Sequence, residues 1–309
     1  MIAAIVPSLD RLPLLRRLLA SLRECGGIEG GITVVNNSPR SIQEEIERLG
    51  WPDVTLLEPG RNLGVGGGVA HGMLATLCNP AVNYVLVCDD DALVAPGAPA
   101  LLRAVLAREH GGAAVPMLLR ENGNIGWFPG LLEPAKWRVI KRQPLRPEEY
   151  LRKCGTDPVR FSWAPWPVML VSRAAIETVG LPREDMWYQG DDLEYAMRLS
   201  ARFPCFFVPA AQAMHYPPPG QADHRSFYYR ECVGMQNVFY MVFHLPHCRR
   251  ALRHLPGNCW RFLRNWHWSP CAVKDLVLAA WRGAVRRAPG GAPGFTQFQQ
   301  CYLRLKNGP

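Results

Sequence analysis

The sequence predicts an α/β fold, with a mostly parallel sheet flanked by helices and followed by a C-terminal helical appendage. Short apolar runs alternate with segments of helical periodicity in the first half of the chain, which is the pattern of right-handed β-α-β units. Acidic residues at 89–91 directly follow one apolar run, at the end of a strand where open α/β sheets bind ligands. The charge balance changes near residue 223, which marks the start of the appendage.

The composition is that of a globular protein. The 309 residues are 48% hydrophobic and 20% charged, which is enough to bury a core and excludes disorder for most of the chain. The longest stretch without Asp, Glu, Lys or Arg, 62–88, is rich in glycine and does not predict a membrane span. Ten cysteines without a CxxC pair indicate reduced thiols, and no signal peptide is recognised, so a cytoplasmic location is expected.

Four strands and three helices are predicted in the first 90 residues. The apolar runs that predict strands are 2–6, 31–35, 54–57 and 84–87. Helical patterns lie between them, at 12–22, 41–49 and 64–78. Ser41 with Glu44 predicts a capping box for the second of these helices. The segment 120–160 is rich in Gly, Pro and Trp and predicts a long insertion or hairpin over the site.

Asp89, Asp90 and Asp91 are the most informative residues of the sequence. Three adjacent carboxylates repel one another unless a cation offsets their charge. Alternate residues of an extended segment point the same way, so Asp89 and Asp91 are expected to share a face while Asp90 turns away. Divalent ions such as Mg²⁺ commonly bind one or two carboxylates together with substrate phosphates. A solvated acidic turn is the alternative.

A glycine-rich segment opens the helix that precedes the acidic triplet. It begins with Arg61-Asn62-Leu63-Gly64 and continues to Gly68. Backbone N–H groups at such a helix start can bind phosphate. The segment follows the third strand and therefore does not match a dinucleotide-binding fingerprint, and a flexible connection explains it equally well.

Asp191 and Asp192 fall in the first turn of another predicted helix. Acidic residues favour a helix N-terminus, so capping explains the pair. If only one of the two caps the helix, the other is free to act as a general base.

One histidine and two tryptophans complete the set of candidate residues. His215 follows an apolar run, and Trp163 and Trp166 precede another. Structural roles are the default for all three. The functional alternatives are ligation by the histidine and stacking of a sugar on the indole rings.

These pieces, in this order, resemble the family 2 glycosyltransferases of the GT-A fold, and most closely the branch of galactofuranosyl- and rhamnosyltransferases. The likeness covers about residues 1–245. The matching segments are Val6–Arg11, Val35–Ser38, Arg61–Gly64, Asp89–Asp91, Trp163–Gly180, Asp191–Asp192 and His215. The sequence departs from the family at Ser8-Leu9-Asp10, where relatives usually have Thr-x-Asn.

The resemblance implies a role for each matched residue. Asp89 and Asp91 would hold Mg²⁺ or Mn²⁺ on the donor diphosphate, with His215 as a further ligand. Asp192 would be the catalytic base and Asp191 its neighbour. The expected donor-binding residues are Pro7, Ser8, Arg11, Asn36, Asn37, Arg61, Asn62, Gly64 and Asp90. The expected acceptor-binding residues are Trp163 and Trp166.

The expected function is therefore an inverting, metal-dependent glycosyltransferase of polysaccharide or glycan biosynthesis. Its donor would be a UDP- or dTDP-sugar, and its acceptor a saccharide or a lipid-linked saccharide. A sugar-phosphate nucleotidyltransferase is the enzyme alternative, but Pro7-Ser8-Leu9-Asp10 lacks the glycine-rich basic loop that this class usually has. A non-catalytic basic scaffold is the other alternative, and the intact Asp89, Asp91 and Asp192 argue against it.

Two regions are expected: a catalytic domain at 1–223 and a basic, aromatic-rich helical region at 224–309, joined near Pro217–Gly220. The first has 22 Lys and Arg against 24 Asp and Glu, the second 13 against 2. Cationic helices with aromatic faces favour anionic lipids, so contact with the inner face of the membrane is expected. Nucleic acid competes for the same charge, but no motif that reads it is present, and packing of an ordinary appendage also explains the aromatics.

Overall fold

The computed structural model describes residues 1–186, 189–216 and 224–285. Within these ranges the chain forms one sheet of nine strands with helices on both faces. The strands are β1 (Ile2–Ser8), β2 (Ile32–Asn36), β3 (Val54–Leu57), β4 (Tyr84–Cys88), β5 (Ala92–Val94), β6 (Ala113–Leu119), β7 (Val159–Arg160), β8 (Val168–Ser172) and β9 (Cys205–His215). Their order is β3-β2-β1-β4-β8-β6-β9-β5, and β7 pairs with β9.

Eight α-helices lie between the strands in the described part of the chain up to residue 216. They are α1 (Leu12–Glu24), α2 (Gln43–Glu47), α3 (Gly64–Thr76), α4 (Ala98–Glu109), α5 (Pro134–Ile140), α6 (Pro147–Cys154), α7 (Arg173–Val179) and α8 (Asp191–Ser200). A short 3₁₀ helix, Glu184–Met186, precedes α8.

Strand residues alternate between two hydrophobic cores because successive side chains of a strand point to opposite faces of the sheet. In β1, Ala3 and Ile5 belong to the core beneath α3 and α8, while Ile2, Ala4 and Val6 belong to the core beneath α1 and α4. Both faces of β1 are therefore buried, as its continuous apolar run requires.

The α/β fold class is confirmed. β1 lies parallel to β2 and β4, and β2 lies parallel to β3, as the alternation of strands and helices predicts. β8 pairs antiparallel with both β4 and β6, so the sheet as a whole is mixed. The carboxyl ends of β1, β2 and β4 consequently meet at one edge of the sheet.

The predicted capping box at Ser41 and Glu44 is wrong. The Ser41 hydroxyl donates to the Glu58 carboxylate, 2.7 Å away, and accepts from the Gln43 amide at 3.2 Å. Helix α2 begins at Gln43 with Ile42 as its N-cap residue and no side-chain cap, so Ser41 lies one residue before the position that a capping box requires.

Helix α3 packs unusually close to the sheet because it is rich in glycine. A Cβ atom on Gly72 would lie 3.1 Å from the Cβ atom of Ile5. A Cβ atom on Gly68 would lie 2.9 Å from side-chain atoms of both Pro7 and Asn37. The glycine-rich segment is thus a packing surface in addition to a helix start.

The described chain after residue 223 is helical. It comprises α9 (His224–His244), a 3₁₀ segment (Pro246–His254), α10 (Leu255–Asn265) and α11 (Pro270–Val285). A small core joins α9, α10 and α11, and α9 also packs against Met186 of the 3₁₀ helix that precedes α8. The expected junction at Pro217–Gly220 and the residues from 286 onward lie outside the described residues. The split at residue 223 remains a prediction.

None of the helices described here has both the length and the apolar character needed to cross a membrane.

Candidate active site

Three potential metal ligands meet at the edge of the sheet. The ligand atoms of Asp89, Asp91 and His215 all lie within 4.8 Å of one another. β5 pairs antiparallel with β9 so that Ala92 lies opposite His215, and this register brings the histidine at the end of β9 to the acidic turn after β4. Nε2 of His215 lies 3.0 Å from Oδ1 of Asp91. The expected cluster is therefore present as a geometric unit.

The middle carboxylate of the triplet faces the protein. Asp90 is fully buried, accepts a hydrogen bond from the Ser8 hydroxyl at 2.7 Å and pairs with the Arg11 guanidinium at 2.6 Å. Arg11 also donates to Asp91 at 2.7 Å. Ser8, Arg11 and Asp90, all expected to contact the donor, hold the acidic turn in place, and Asp89 is left without a cationic side chain in this bridge.

Electrostatics distinguish the two outer carboxylates. Burial and the neighbouring Asp91 raise the pKa of Asp89 to about 7. Burial would also raise the pKa of Asp91, but the hydrogen bond from His215 and the charge of Arg11 outweigh it and lower that pKa. A bound cation would relieve the like-charge repulsion at Asp89.

The residues fit a hard divalent cation. Two carboxylates and an imidazole are donors that suit Mg²⁺ or Mn²⁺. Nδ1 of His215 is buried and has no hydrogen-bond partner in the described part of the chain. The ligand set and its spacing agree in pointing to a metal.

A second pair of carboxylates begins helix α8. Asp191 is only 4% exposed, and its Oδ2 atom has no hydrogen-bond partner among the described residues. Oδ1 of Asp192 accepts from the Leu193 amide at 2.7 Å. The N-cap of α8 is Gly190, in the left-handed conformation with φ of 91°, and neither aspartate occupies that position. Neither aspartate is therefore the N-cap residue, although both lie in the first turn, where the helix dipole favours acidic side chains.

Burial raises the pKa of both aspartates. The pKa of Asp192 rises to about 6, while that of Asp191, which also feels the charges of Asp192 and Asp89, is raised well above its usual range. A carboxylate whose pKa lies near neutrality is suited to general base catalysis.

Helix α3 positions this pair by close contact. A Cβ atom on Gly66 would lie 2.9 Å from the Arg183 carbonyl oxygen and 3.2 Å from Oδ2 of Asp191. Only a residue without a side chain lets α3 approach the start of α8 this closely.

The other expected donor residues lie at the end of β2 and at the start of α3, with differing surroundings. Asn36 closes a turn, donating to the Arg40 carbonyl and to Glu58. Asn37 donates to the Gly64 carbonyl at 2.9 Å, and its buried Oδ1 has no hydrogen-bond partner in the described ranges. The remaining expected residues of the glycine-rich segment are Arg61, which is exposed, and Asn62, which accepts from the Gly64 amide.

One cavity of about 640 Å³ connects the catalytic candidates. Asp89, His215, Asp191 and Asp192 line it together. Its other walls come from the loops that carry Trp127, Trp163 and Trp166 and from α9 and α10 of the C-terminal region. The two groups of carboxylates therefore face a common space.

The three tryptophans that line the cavity differ in how much of each ring is exposed. Trp163 is half-buried and packs edge-on against Trp137. Trp166 is 3% exposed and packs in the core against Tyr195, so little of its ring is free to stack on a ligand. Trp127 was not singled out from the sequence. It is 48% exposed, and its ring lies edge-on to His215 at 6.0 Å between centroids. Its position in the Gly- and Pro-rich segment 120–160, which is predicted to cover the site, is the feature of the sequence that could have identified it.

The C-terminal wall of the cavity was also not foreseen. His254, the N-cap residue of α10, and Asn258 and Arg261 of the helix follow the spacing i, i+4, i+7, and all three line the cavity. That spacing within a basic helix is the signal that could have identified them.

A mixed sheet that gathers a carboxylate–histidine cluster at the strand ends, next to a second acidic pair, defines a glycosyltransferase of the GT-A fold. The family model described as Glycosyl transferase family 2 matches residues 3–165, more than half of the chain. The chain belongs to this family.

Solved structures of glycosyltransferases share the fold. They include GalNAc-T7 with UDP, GalNAc and Mn²⁺ (16% identity, TM-score 0.53, 80% of this chain and 52% of that one). Staphylococcus aureus TarS 1-349 with UDP-GlcNAc is 11% identical with a TM-score of 0.59, and the match covers 90% of this chain and 79% of that one. The mannosyltransferase PcManGT from Pyrobaculum calidifontis with GDP-Man and Mn²⁺ is 16% identical with a TM-score of 0.51, and the match covers 98% of this chain and 80% of that one. The chain spans about half the length of the GalNAc-T7 chain. Among curated proteins, none matches this sequence.

Proposed function

We propose that the protein is an inverting, divalent-metal-dependent glycosyltransferase that moves a sugar from a nucleotide-diphosphate donor to a hydroxyl group of a saccharide or lipid-linked acceptor. One observation carries this proposal: Asp89 and His215, which form a cluster with Asp91, share a cavity with Asp191 and Asp192. A cation site for the leaving group and a base for the attacking hydroxyl are the two features that such a transfer requires.

The donor side is organised around the acidic turn. Asp89, Asp91 and His215 would hold Mg²⁺ or Mn²⁺, and the ion supplies positive charge beside the diphosphate that leaves. Ser8 and Arg11 keep the turn in its shape through Asp90 and Asp91. Fold relatives crystallised with Mn²⁺ and UDP or with Mn²⁺ and GDP-Man support this arrangement.

The nucleotide is expected to lie along the edge where β1, β2 and α3 meet. Pro7 and Asn37 line this edge, and the unpartnered Oδ1 of Asn37 offers an acceptor for a donor group of the nucleotide. Resemblance to the branch of galactofuranosyl- and rhamnosyltransferases favours UDP-galactofuranose or dTDP-rhamnose as the donor.

Asp192 is the proposed base. It takes the proton of the acceptor hydroxyl while the oxygen attacks the anomeric carbon from the side opposite the diphosphate. Direct displacement of this kind inverts the anomeric centre and needs no covalent nucleophile. Asp191 is the more buried neighbour, and burial together with the charge of Asp192 raises its pKa well above the usual range.

A thermal-shift screen of UDP-, dTDP- and GDP-sugars, with Mn²⁺, Mg²⁺ or EDTA, tests the donor site. A donor that binds the native state raises the melting temperature, and we expect one nucleotide class to do so only with metal. Asp91→Ala should remove that metal-dependent shift, whereas the exposed, distant Asp157→Asn should keep it. If no nucleotide sugar shifts the wild-type protein with either metal, the proposal is wrong.

The C-terminal region is proposed to contact an anionic membrane surface, which would place the protein at the inner face of the membrane. Four side chains of α11 spaced by four residues, Val273, Val277, Trp281 and Val285, are between 43% and 63% exposed. Exposed apolar side chains in one row, within a region of high positive charge, are typical of helices that lie at a lipid surface.

A further inference from the structure

The cavity extends beyond the catalytic residues onto the C-terminal helices. One end is anionic, with Asp89, Asp191 and Asp192. At the other end, the cavity is lined by His254, the N-cap residue of α10, and by Asn258 and the cationic Arg261 of that helix. An acceptor that presents its hydroxyl to Asp192 therefore has a cation available for another part of the same molecule.

Helices α8 and α9 contribute an apolar wall to the cavity. Its apolar residues are Met197 of α8 and Met235, Val238 and Met241 of α9. Phe262 of α10 also lines the cavity, next to Arg261 in the sequence. Methionine and valine side chains suit a flexible aliphatic chain better than a sugar, which needs polar partners and aromatic faces. The tryptophans, by contrast, come from loops of the catalytic part.

Two charged residues near this wall, Glu231 and Arg264, already have partners within the protein. Glu231 of α9 lines the cavity, but its carboxylate accepts from the indole N–H of Trp266. Arg264, three residues after Arg261, stacks on Trp260 and does not line the cavity. Arg261 is the arginine of α10 that faces the cavity, and its guanidinium group matches the geometry of a phosphate.

We infer that the α10 wall binds the phosphate ester of a lipid-linked acceptor, with Arg261 as the anion-binding side chain and the apolar wall in contact with the lipid chain. This inference rests on the proposed function, which supplies the hydroxyl chemistry at Asp192. Asn258 adds a hydrogen-bond donor on the same helix face. The carboxylate of Asp192, the apolar wall and the cation of Arg261 thus match the hydroxyl group, the lipid chain and the phosphate of one acceptor.

Calorimetric titration of the full chain in EDTA tests this inference, because removal of divalent cations suppresses phosphate binding at the acidic cluster. The probes are geranyl phosphate, its neutral counterpart geraniol, and the soluble ester glucose 1-phosphate. We expect geranyl phosphate to bind more tightly than either of the other two. Arg261→Gln should weaken geranyl phosphate binding roughly tenfold, the effect of losing a charge-assisted contact, and should leave geraniol binding unchanged.

Matched variants separate binding from folding. Arg261→Lys should keep affinity within about threefold of wild type, because it retains the charge without the guanidinium fork. Arg264→Gln makes the same chemical change one turn away and should leave affinity for geranyl phosphate unchanged. Unchanged binding in Arg261→Gln, or equal loss of geraniol and geranyl phosphate, would overturn the inference. Tighter, Arg261-dependent binding of glucose 1-phosphate would overturn its lipid part.

The donor screen distinguishes failure of this inference from failure of the proposed function. If a nucleotide sugar binds with metal while geranyl phosphate binding does not depend on Arg261, only the acceptor inference is wrong. If no nucleotide sugar binds, the glycosyltransferase proposal itself is wrong.

Discussion

Single side chains determine the charge balance of the site. Arg11 pairs with Asp90 and Asp91 and thus offsets part of the negative charge of two of the three adjacent carboxylates, although burial still raises the pKa of Asp90 to about 6. Asp89, whose pKa is raised to about 7, is left as the group whose ionisation is most costly. Binding of a divalent cation and ionisation of Asp89 should therefore occur together, with release of a proton.

The first prediction concerns the proposed base. Asp192→Asn should lower the rate of sugar transfer at least about 100-fold, because an amide does not accept the acceptor's proton. Donor affinity measured by calorimetry should stay within about threefold, because the metal cluster remains intact. Wild-type kcat/KM should fall as the pH drops through about 6, where Asp192 becomes protonated. Transfer at the wild-type rate in Asp192→Asn would remove Asp192 as the base.

A second prediction concerns a buried ion pair behind the base. Burial would raise the pKa of Glu194, but the hydrogen bond to His247 and the charge of Arg198 outweigh it and lower that pKa. The stabilisation is therefore complete above the unfolded pKa of about 4.3 and decreases as the pH falls below it. Urea denaturation should show Glu194→Gln to be less stable than wild type by about 2 kcal/mol at neutral pH, with a smaller difference below about pH 4.

Glu44→Gln provides the comparison for this second prediction. Glu44 pairs with Arg48 on the exposed surface of α2, where an ion pair contributes less than about 0.5 kcal/mol. A Glu194→Gln variant that behaves like Glu44→Gln at every pH would contradict the prediction.

Much of the site can be predicted at the residue scale, but contacts between distant segments cannot. Asp89 and Asp91 were identifiable because they follow an apolar strand, and alternation along the chain predicts that Asp90 faces away. Trp127 lies in a segment of weak periodicity, and the spacing of Asn258 and Arg261 predicts a common helix face without showing that this face meets the site. Asn36 was expected to bind the nucleotide sugar, but its amide closes a local turn. The sequence alone does not distinguish these two roles of an asparagine.

At the scale of elements, helix α3 sets the distance between the sheet and the start of α8. Three of its glycines, Gly66, Gly68 and Gly72, have neighbours within 3.2 Å of where a Cβ atom would be. The sequence alone leaves a flexible loop and a close-packed helix equally open, since both are rich in glycine. Packing against β1 and Asp191 decides in favour of the helix.

The third prediction follows from this contact. Gly66→Ala should destabilise the protein by about 1–3 kcal/mol, because its Cβ atom would meet the backbone oxygen of Arg183. Transfer activity should also fall, since the displaced segment leads to Asp191 and Asp192. Chemical denaturation and steady-state kinetics measure the two effects.

Gly257→Ala makes the same substitution in α10, where a Cβ atom would have nothing within 4 Å. This variant should be slightly more stable than wild type, by up to about 1 kcal/mol, because alanine favours a helix over glycine. Equal stability of the two variants would show that the close approach of α3 has no energetic importance.

Sheet elements differ in how well sequence predicts them. β1 to β4 follow from apolar runs separated by helices, and the right-handed crossover rule makes them parallel. The placement of β8 between β4 and β6 does not follow, because its antiparallel pairing with β4 joins residues that are 80 to 88 positions apart in the chain. Ser41 shows that even a contact 17 residues away is hard to predict, since its partner Glu58 follows β3.

At the scale of the whole molecule, the C-terminal helices are both a wall of the catalytic cavity and a carrier of exposed apolar surface. Eight large apolar side chains exposed in the described chain lie between residues 243 and 285: Phe243, Leu252, Trp260, Trp268, Val273, Val277, Trp281 and Val285. The positive charge of this region is equally concentrated. The two properties together suit an interface with anionic lipid.

The fourth prediction tests this surface. The double variant Val277→Ser, Trp281→Ser should co-sediment severalfold less with vesicles that contain phosphatidylglycerol, because the changes remove exposed apolar area. Its melting temperature should match that of the wild type, since both side chains are exposed. Added salt should weaken wild-type binding, and vesicles of phosphatidylcholine alone should bind less protein.

Leu101→Ser is the matched control for the vesicle experiment, since Leu101 is 43% exposed but lies on α4 of the catalytic part. It should co-sediment like the wild type. If the double variant also does so, or if the wild type does not sediment with anionic vesicles, the membrane proposal is wrong.

Asn237 of α9 links the C-terminal helices to the proposed catalytic pair. Its buried amide donates to the carbonyl oxygens of Met186 and Gln189, and Gln189 directly precedes Gly190, the N-cap of α8. Under the proposed function, exchanging these helices for those of another family member would alter acceptor binding and the alignment of the proposed base at once. Engineers who seek a new acceptor should graft the helix faces and retain this asparagine.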